Sequence, residues 1–187
     1  MTRPGALVVG AAVGLAVLLL GLDAFVAESR TVSSSSMAPT LSAGERIVVR
    51  KAGVDRWDVP RGTVVVVDAA DLWAARGAAG GTVFVKRVIG VGGDHVRCCT
   101  PSGRLVRNGT PLVEPYVVGR TDQVPFDVVV PEGHYWLMGD NRQESSDARD
   151  HLGDPGGGSV PASRMIGSVV AVAWPPSQLR RMRGDSQ

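Results

Sequence analysis

Apolar positions fall into two regimes along this chain. From Gly5 to Leu22, 18 consecutive residues carry no charge. As a helix this run would span about 27 Å, and Ala24-Phe25-Val26-Ala27 can carry it through an interface. Beyond it the apolar residues come in short clusters bounded by Gly, Pro and polar residues, which is how a β domain reads. Arg46-Ile47-Val48-Val49-Arg50 is a strand candidate, and Gly62 to Val67 is a continuous apolar run suited to a strand buried on both faces. Val83 to Ile89 alternates, with Phe84, Lys86 and Val88 on one face and Val83, Val85, Arg87 and Ile89 on the other. Asn108-Gly109 between Leu105-Val106-Arg107 and Thr110-Pro111-Leu112-Val113 predicts a hairpin. Phe126 to Val130, Tyr135 to Met138 and Ser168 to Trp174 complete a set of about eight short strands. Glu28 to Ser35 reads as a polar connector, and Asp68 to Gly81, rich in Ala and Gly, as a surface excursion.

The long run predicts one transmembrane pass. A cleavable signal peptide is the alternative, but its apolar core would be about 7 to 15 residues, and Phe25 two positions before Ala27 spoils the small-residue cleavage pattern. Arg3 and the amino terminus precede the run, whereas Asp23 and Glu28 follow it. The short tail is therefore expected in the cytoplasm and the domain outside. The expected organisation is a cytoplasmic tail over residues 1–4, a transmembrane anchor over 5–27, an extracytoplasmic domain over 28–179 and a basic tail over 180–187. The chain's 187 residues leave no room for a second large domain. Its 24 Gly and 12 Pro favour many turns over long helices, so the domain is expected to be mainly β. A net charge of +2 with scattered arginines argues against nucleic acid as a partner. Arg180-Arg181-Met182-Arg183 is the exception, read as a solvated end that could brush anionic lipid. Cys98 and Cys99 are adjacent, which fits neither a C-x-x-C redox motif nor zinc spacing and leaves their redox state open.

Candidate chemistry begins at Ser36. Four serines, Ser33 to Ser36, would suit a linker, but Pro39 restricts Ala38 to extended geometry and Thr40 to Gly44 turns the chain into the strand at Arg46. Ser36 is thus expected at the edge of a folded element. A serine hydroxyl is a weak nucleophile until a base takes its proton, and lysine can do so only when neutral. Bringing a lysine from about 10.4 down to about 7 takes roughly 4 kcal/mol, which burial alone can supply. Phe84 and Val88 flank Lys86 on its face of the strand and could exclude the water.

Three separated blocks resemble the type I signal peptidase family, serine proteases that remove signal peptides. They are Ser36-Met37-Ala38-Pro39-Thr40-Leu41, then Val85-Lys86-Arg87-Val88-Ile89-Gly90 with Gly93-Asp94, then Gly139-Asp140-Asn141-Arg142 continuing to Arg149. Val130 to Trp136 and Ile166-Gly167 to Trp174-Pro175 are also similar to that family. The resemblance implies an antiparallel-sheet, signal-peptidase-like catalytic domain behind one membrane helix, on the outer face of a bacterial cytoplasmic membrane. It implies Ser36 as nucleophile, Lys86 as general base, Ser145 as a hydrogen-bond partner orienting the lysine amine, and Asp147 and Arg149 as a supporting charge pair. The oxyanion would be bound by the Ser36 backbone amide and by the Ser34 hydroxyl. Secretory preproteins are the implied substrates, cut after small residues in an Ala-x-Ala pattern; the lipid bilayer is a partner, contact with the export machinery is left open, and no cofactor is implied. An extended peptide would lie against free strand edges near Val32, Ser33, Val83, Phe84 and Val85. Two departures from the family pattern stand out: Gly92 where Pro is frequent, and Gln143-Glu144 where Asp-Asn is common.

Other readings are weaker. His95, His134 and His151 could serve a histidine-based hydrolase, but no G-x-S-x-G surrounds any serine. Asp147, Asp150, His151 and Asp154 resemble a metal cluster on paper, yet they follow no calcium-loop or His-Glu zinc pattern, and a solvated acidic loop is the preferred reading; no metal is expected. A non-enzymatic peptide-binding domain would share the groove and differ only in lacking the Ser36, Lys86 and Ser145 combination. A self-cleaving repressor-type protease would carry a DNA-binding domain where this chain has its apolar run.

Overall fold

A computed structural model describes residues 27–51, 59–69, 72–73 and 83–182. The expected anchor lies outside these residues except for Ala27, and among the described residues no helix is long and apolar enough to cross a membrane. Twelve strands are described: β1 (Ala27–Thr31), β2 (Arg46–Arg50), β3 (Val64–Asp68), β4 (Val83–Val91), β5 (His95–Cys98), β6 (Leu105–Arg107), β7 (Thr110–Pro111), β8 (Phe126–Val129), β9 (His134–Met138), β10 (Val160–Pro161), β11 (Met165–Trp174) and β12 (Arg180–Arg181). They form two sheets. The larger has the order β1-β2-β11-β3-β4-β9-β10, with β12 also on β11, and the smaller has the order β7-β6-β5-β8. All the described strand pairs within the two sheets are antiparallel.

The apolar run at β3 is buried on both faces because two cores flank its strand. Val65 and Val67 join one core with Val88, Trp136 and Leu137; Val64 and Val66 join the other with Met37, Leu41, Ile47 and Val49. The alternation in β4 holds as far as Val88, with Phe84 and Val88 against the first core and Val83 and Val85 against the second, but Ile89, expected on the second face, joins the first core, next to a register shift against β9 between Val88 and Gly90. Lys86 lies in the half of β4 that pairs with β3 but, among the described residues, not with β9. Asn108 (φ 51) and Gly109 (φ 80) build the tight turn between β6 and β7, a conformation that favours these two residue types.

The structure differs from expectation in further places, the first being Ala27, expected as the last residue of the anchor and found in β1. The polar connector is not all connector, because Ala27–Thr31 pairs along β2 from Ala27↔Arg50 to Thr31↔Arg46. Its order comes from the main-chain ladder, which a hydropathy pattern does not reveal. Arg180 and Arg181, expected in a free tail, pair with Val172 and Ala171 of β11. Within the expected surface excursion, Ala69 and Trp73 are buried. The Trp73 ring stacks on His151 and meets Phe84 edge-on, while its indole N–H donates to the Gly158 carbonyl. The acidic loop is not solvated throughout, since Asp147 is buried with Arg149 and His151 pairs with Asp154. Cys98 and Cys99 are joined to each other by a disulfide.

Candidate active site

Ser36 sits on a turn pinned from beneath. The side chains of Met37 and Leu41 are fully buried in the second core, each contributing about 1.5–3 kcal/mol of transfer free energy. The Leu41 amide bonds the Met37 carbonyl at 2.8 Å, and the Ala38 amide bonds the Ser35 carbonyl at 2.9 Å. With the apolar residues inserted downward, Ser33, Ser34 and Ser35 are left exposed and Ser36 faces the cleft described below. The Ser34 and Ser36 hydroxyls are 3.1 Å apart.

Asp140 ties this turn to the strand that carries the lysine. Its carboxylate accepts from the Thr40 hydroxyl at 2.5 Å and from the Arg87 guanidinium at 2.8 and 2.6 Å. Both partners of the ion pair are buried, at 2% and 0% exposure, so the charge-assisted bonds are not diluted by solvent. Arg87 also donates to the Gly62 carbonyl and lies 3.8 Å from the Tyr116 ring centre. Because Arg87 follows Lys86 and Thr40 follows Ser36 by four residues, one carboxylate holds the two elements in register. The next residue closes the same junction, as the Asn141 amide donates to the Ser36 carbonyl at 3.0 Å.

Lys86 is 3% exposed, and its Nζ lies 6.0 Å from the Phe84 ring centre. Burial pushes its amine down to about 8; the Asp147 carboxylate opposes the shift and the Arg149 guanidinium favours it. Burial alone would raise Asp147, but Arg149 holds it below the usual carboxylate range. Arg149 donates to both carboxylate oxygens at 2.9 and 3.0 Å and to the Arg142 carbonyl at 2.8 Å. Asp147 in turn accepts from the Gly139 amide at 3.0 Å.

Gly139 is needed for closeness. A Cβ there would lie 2.2 Å from the Ser145 hydroxyl and 2.5 Å from the Ser36 carbonyl oxygen. The glycine thus lets Ser145 approach the Ser36 backbone. The Ser145 hydroxyl is buried and has no hydrogen-bond partner among the described residues, so the bond expected with the lysine amine is not formed in this structure.

Ser36 and Lys86 line one cleft of about 420 Å³ together with Ser34, Val32, Ser33, Val83, Phe84 and Val85; Arg30, Thr31 and Met37 complete its walls. Among the described residues both sides offer unpaired main chain: β1 pairs only with β2, and β9 begins to pair with β4 only at Arg87, leaving Val83 to Lys86 bonded on the β3 side alone. A more open depression of about 620 Å³ lies in another part of the molecule, between Pro101–Arg104 and Leu112–Asp122, and is lined by neither Ser36 nor Lys86. The Arg87, Asp140 and Thr40 junction was not assigned a role from the sequence, although Gly139-Asp140-Asn141-Arg142 marked the segment. The signal available was a second charged residue, Arg87, beside Lys86 in a strand otherwise built of apolar residues and glycine.

Comparison with known proteins gives a consistent result. The family model for signal peptidase, peptidase S26, matches residues 6–174. A probable signal peptidase I-2 of Synechocystis sp. is 32% identical over 171 residues, covering 91% of this chain and 74% of that protein. A signal peptidase I of Leptolyngbya laminosa is 34% identical over 168 residues, covering 89% and 79%. A probable signal peptidase I of Mycobacterium leprae is 34% identical over 220 residues, covering 88% and 75%.

Proposed function

The chain belongs to the signal peptidase family, peptidase S26, and from that premise we propose that it removes N-terminal signal peptides from exported preproteins through a Ser36 and Lys86 acyl-enzyme. The observation that carries this reading is a buried lysine, lowered to about 8 and without a hydrogen-bonded carboxylate among the described residues, lining the same cleft as an activatable serine. Neutral Lys86 takes the Ser36 proton as Oγ attacks the scissile carbonyl. The Ser36 amide and the Ser34 hydroxyl donate to the oxyanion. The lysine ammonium then protonates the departing amine, and on regaining its lone pair it activates the water that releases the signal peptide. Ser145, buried beside Gly139 and without a hydrogen-bond partner among the described residues, is the group available to accept an N–H of the lysine and aim its lone pair at Ser36. The Asp147 and Arg149 pair holds the Gly139 and Arg142 backbone around it.

The substrate enters as an extended strand between β1 and the Val83 to Lys86 edge, with shallow apolar walls at Val32, Val83 and Val85 favouring small side chains at the first and third positions before the cut. We assign the single-pass anchor to the apolar run that precedes β1, since Ala27, expected as its last residue, already pairs with Arg50, with the amino terminus cytoplasmic and the domain on the outer face of a bacterial cytoplasmic membrane. Tethering there raises the effective concentration of a scissile bond that emerges from the same bilayer. The test is to incubate the detergent-solubilised full chain with a preprotein and map the new amino terminus. Cleavage after an Ala-x-Ala site, abolished by Ser36→Ala and by Lys86→Ala, is expected; substantial turnover by either variant would reject these roles.

A further inference from the structure

Gln143-Glu144, one of the two departures from the family pattern, is divided in its placement. The Gln143 side chain lies across Gly119, whose absent Cβ would be 2.7 Å from it. Glu144 instead reaches the nucleophile's turn, where its Oε2 accepts a 2.5 Å bond from the Ser35 hydroxyl. We propose that Glu144 is a positioning residue that orients the Ser36 backbone amide by clamping Ser35, a role that rests on the Ser36 reading above.

The peptide unit joining Ser35 to Ser36 is planar, so the direction of the Ser36 N–H follows from where the Ser35 carbonyl is held. That carbonyl accepts from the Ala38 amide at 2.9 Å and from the Asn141 side chain at 3.4 Å. The Ser36 carbonyl, on the other side, is held by the Asn141 amide. Between buried Val32 and Ser36, however, no apolar side chain anchors the chain, because Ser33, Ser34 and Ser35 are exposed. Among the described residues, rotation of the peptide plane is opposed there by polar contacts, and the Ser35 to Glu144 bond is the one made by an ionisable acceptor. A carboxylate acceptor suits an exposed position, since charge-assisted bonds are about twice as strong as neutral ones and compete better with water. Glu144 is itself fixed, as its amide bonds the Asn141 carbonyl at 3.2 Å in the turn that already grips Ser36. The clamp therefore joins the same two segments as the bond from the Asn141 amide to the Ser36 carbonyl, but at the peptide whose N–H meets the developing negative charge.

The experiment is steady-state cleavage of a preprotein-derived fluorogenic peptide by the full chain in detergent. It uses Glu144→Ala, Ser35→Ala, the double variant and Glu144→Gln, with thermal melting in parallel. Misaiming an oxyanion donor should lower kcat about tenfold with KM within about twofold. The double variant should be no slower than either single one. Glu144→Gln keeps an acceptor oxygen but loses the charge, so its kcat should fall between those of wild type and Glu144→Ala. Binding of a peptide aldehyde, which forms a tetrahedral adduct with Ser36, should weaken in step with kcat while melting temperatures stay unchanged. A wild-type kcat for Glu144→Ala, additive losses in the double variant, or a change confined to KM would overturn the assignment. Ser36→Ala separates the two levels. If it still cleaves, the dyad reading has failed; if it is inactive while Glu144→Ala is at full rate, only the clamp has failed.

Discussion

Replacing Lys86 with Met should make the protein more stable at neutral pH while making it inactive. Met has similar length and no charge, so it fills the same space beside Phe84. The cost removed is that of holding an ammonium group in a buried site. A fall from 10.5 to about 8 corresponds to about 3 kcal/mol at roughly 1.4 kcal/mol for each pKa unit. The sign follows from proton counting. Below about pH 8 the lysine is protonated in both states and the folded state bears the whole penalty; between about 8 and 10.5 the unfolded chain binds more protons, so wild-type stability rises with pH. The advantage of Lys86→Met should therefore be about 3 kcal/mol at pH 7, about 2 at pH 9 and under about 1 by pH 10.5. Urea titrations of both proteins in the same detergent at these three pH values measure it, and taking the difference cancels groups common to both. A variant less stable than wild type at pH 7, or an advantage independent of pH, would refute the claim that burial of this amine sets its protonation.

Other expected outcomes follow from the same geometry. The wild-type kcat/KM should rise about tenfold from pH 7 to a plateau above about pH 9, with its inflection near 8, because only the neutral amine acts as base; a flat profile over that range counts against lysine as base. Ser34→Ala should lower kcat about 100-fold to 1,000-fold with little change in KM, measured with the same peptide substrate. Arg87→Ala leaves the buried Asp140 carboxylate without its ion-pair partner and should cost about 3–5 kcal/mol in chemical denaturation. Arg180 pairs with Glu45 at 2.8 Å and donates to the Thr40 carbonyl at 2.6 Å. It is about one-third exposed, so Arg180→Ala should cost only about 1 kcal/mol; a loss as large as that of Arg87→Ala would mean that solvent does not screen this pair.

Several elements of the fold were legible because a local pattern states their environment directly. Four consecutive valines in β3 signalled burial on both faces, alternation in β4 separated Phe84 and Val88 from Val83 and Val85, and Asn108-Gly109 specified a tight turn. β1, β10 and β12 left no such trace. Each is short, and what makes each a strand is a partner's main-chain N–H and C=O groups, which side-chain hydropathy does not encode. Trp73 was misplaced for a related reason, since its Ala- and Gly-rich surroundings look like a surface segment. Its burial follows from the His151 ring and the Gly158 carbonyl, both more than 75 positions along the chain.

By itself the sequence determined residue types and spacing: a serine at the head of a turn, a lysine among apolar residues on a strand, and a polar segment ending another strand. Those are properties of short stretches, where periodicity and proline or glycine chemistry act over a few residues. Only the tertiary structure decided that Asp140 bonds Thr40 and Arg87 at once, that Lys86 and Ser36 face one cleft, and that Glu144 reaches Ser35. Each of these joins residues roughly 50 to 110 positions apart. Contacts at that distance exist only once the sheets have packed and excluded the water that would otherwise satisfy every charge alone.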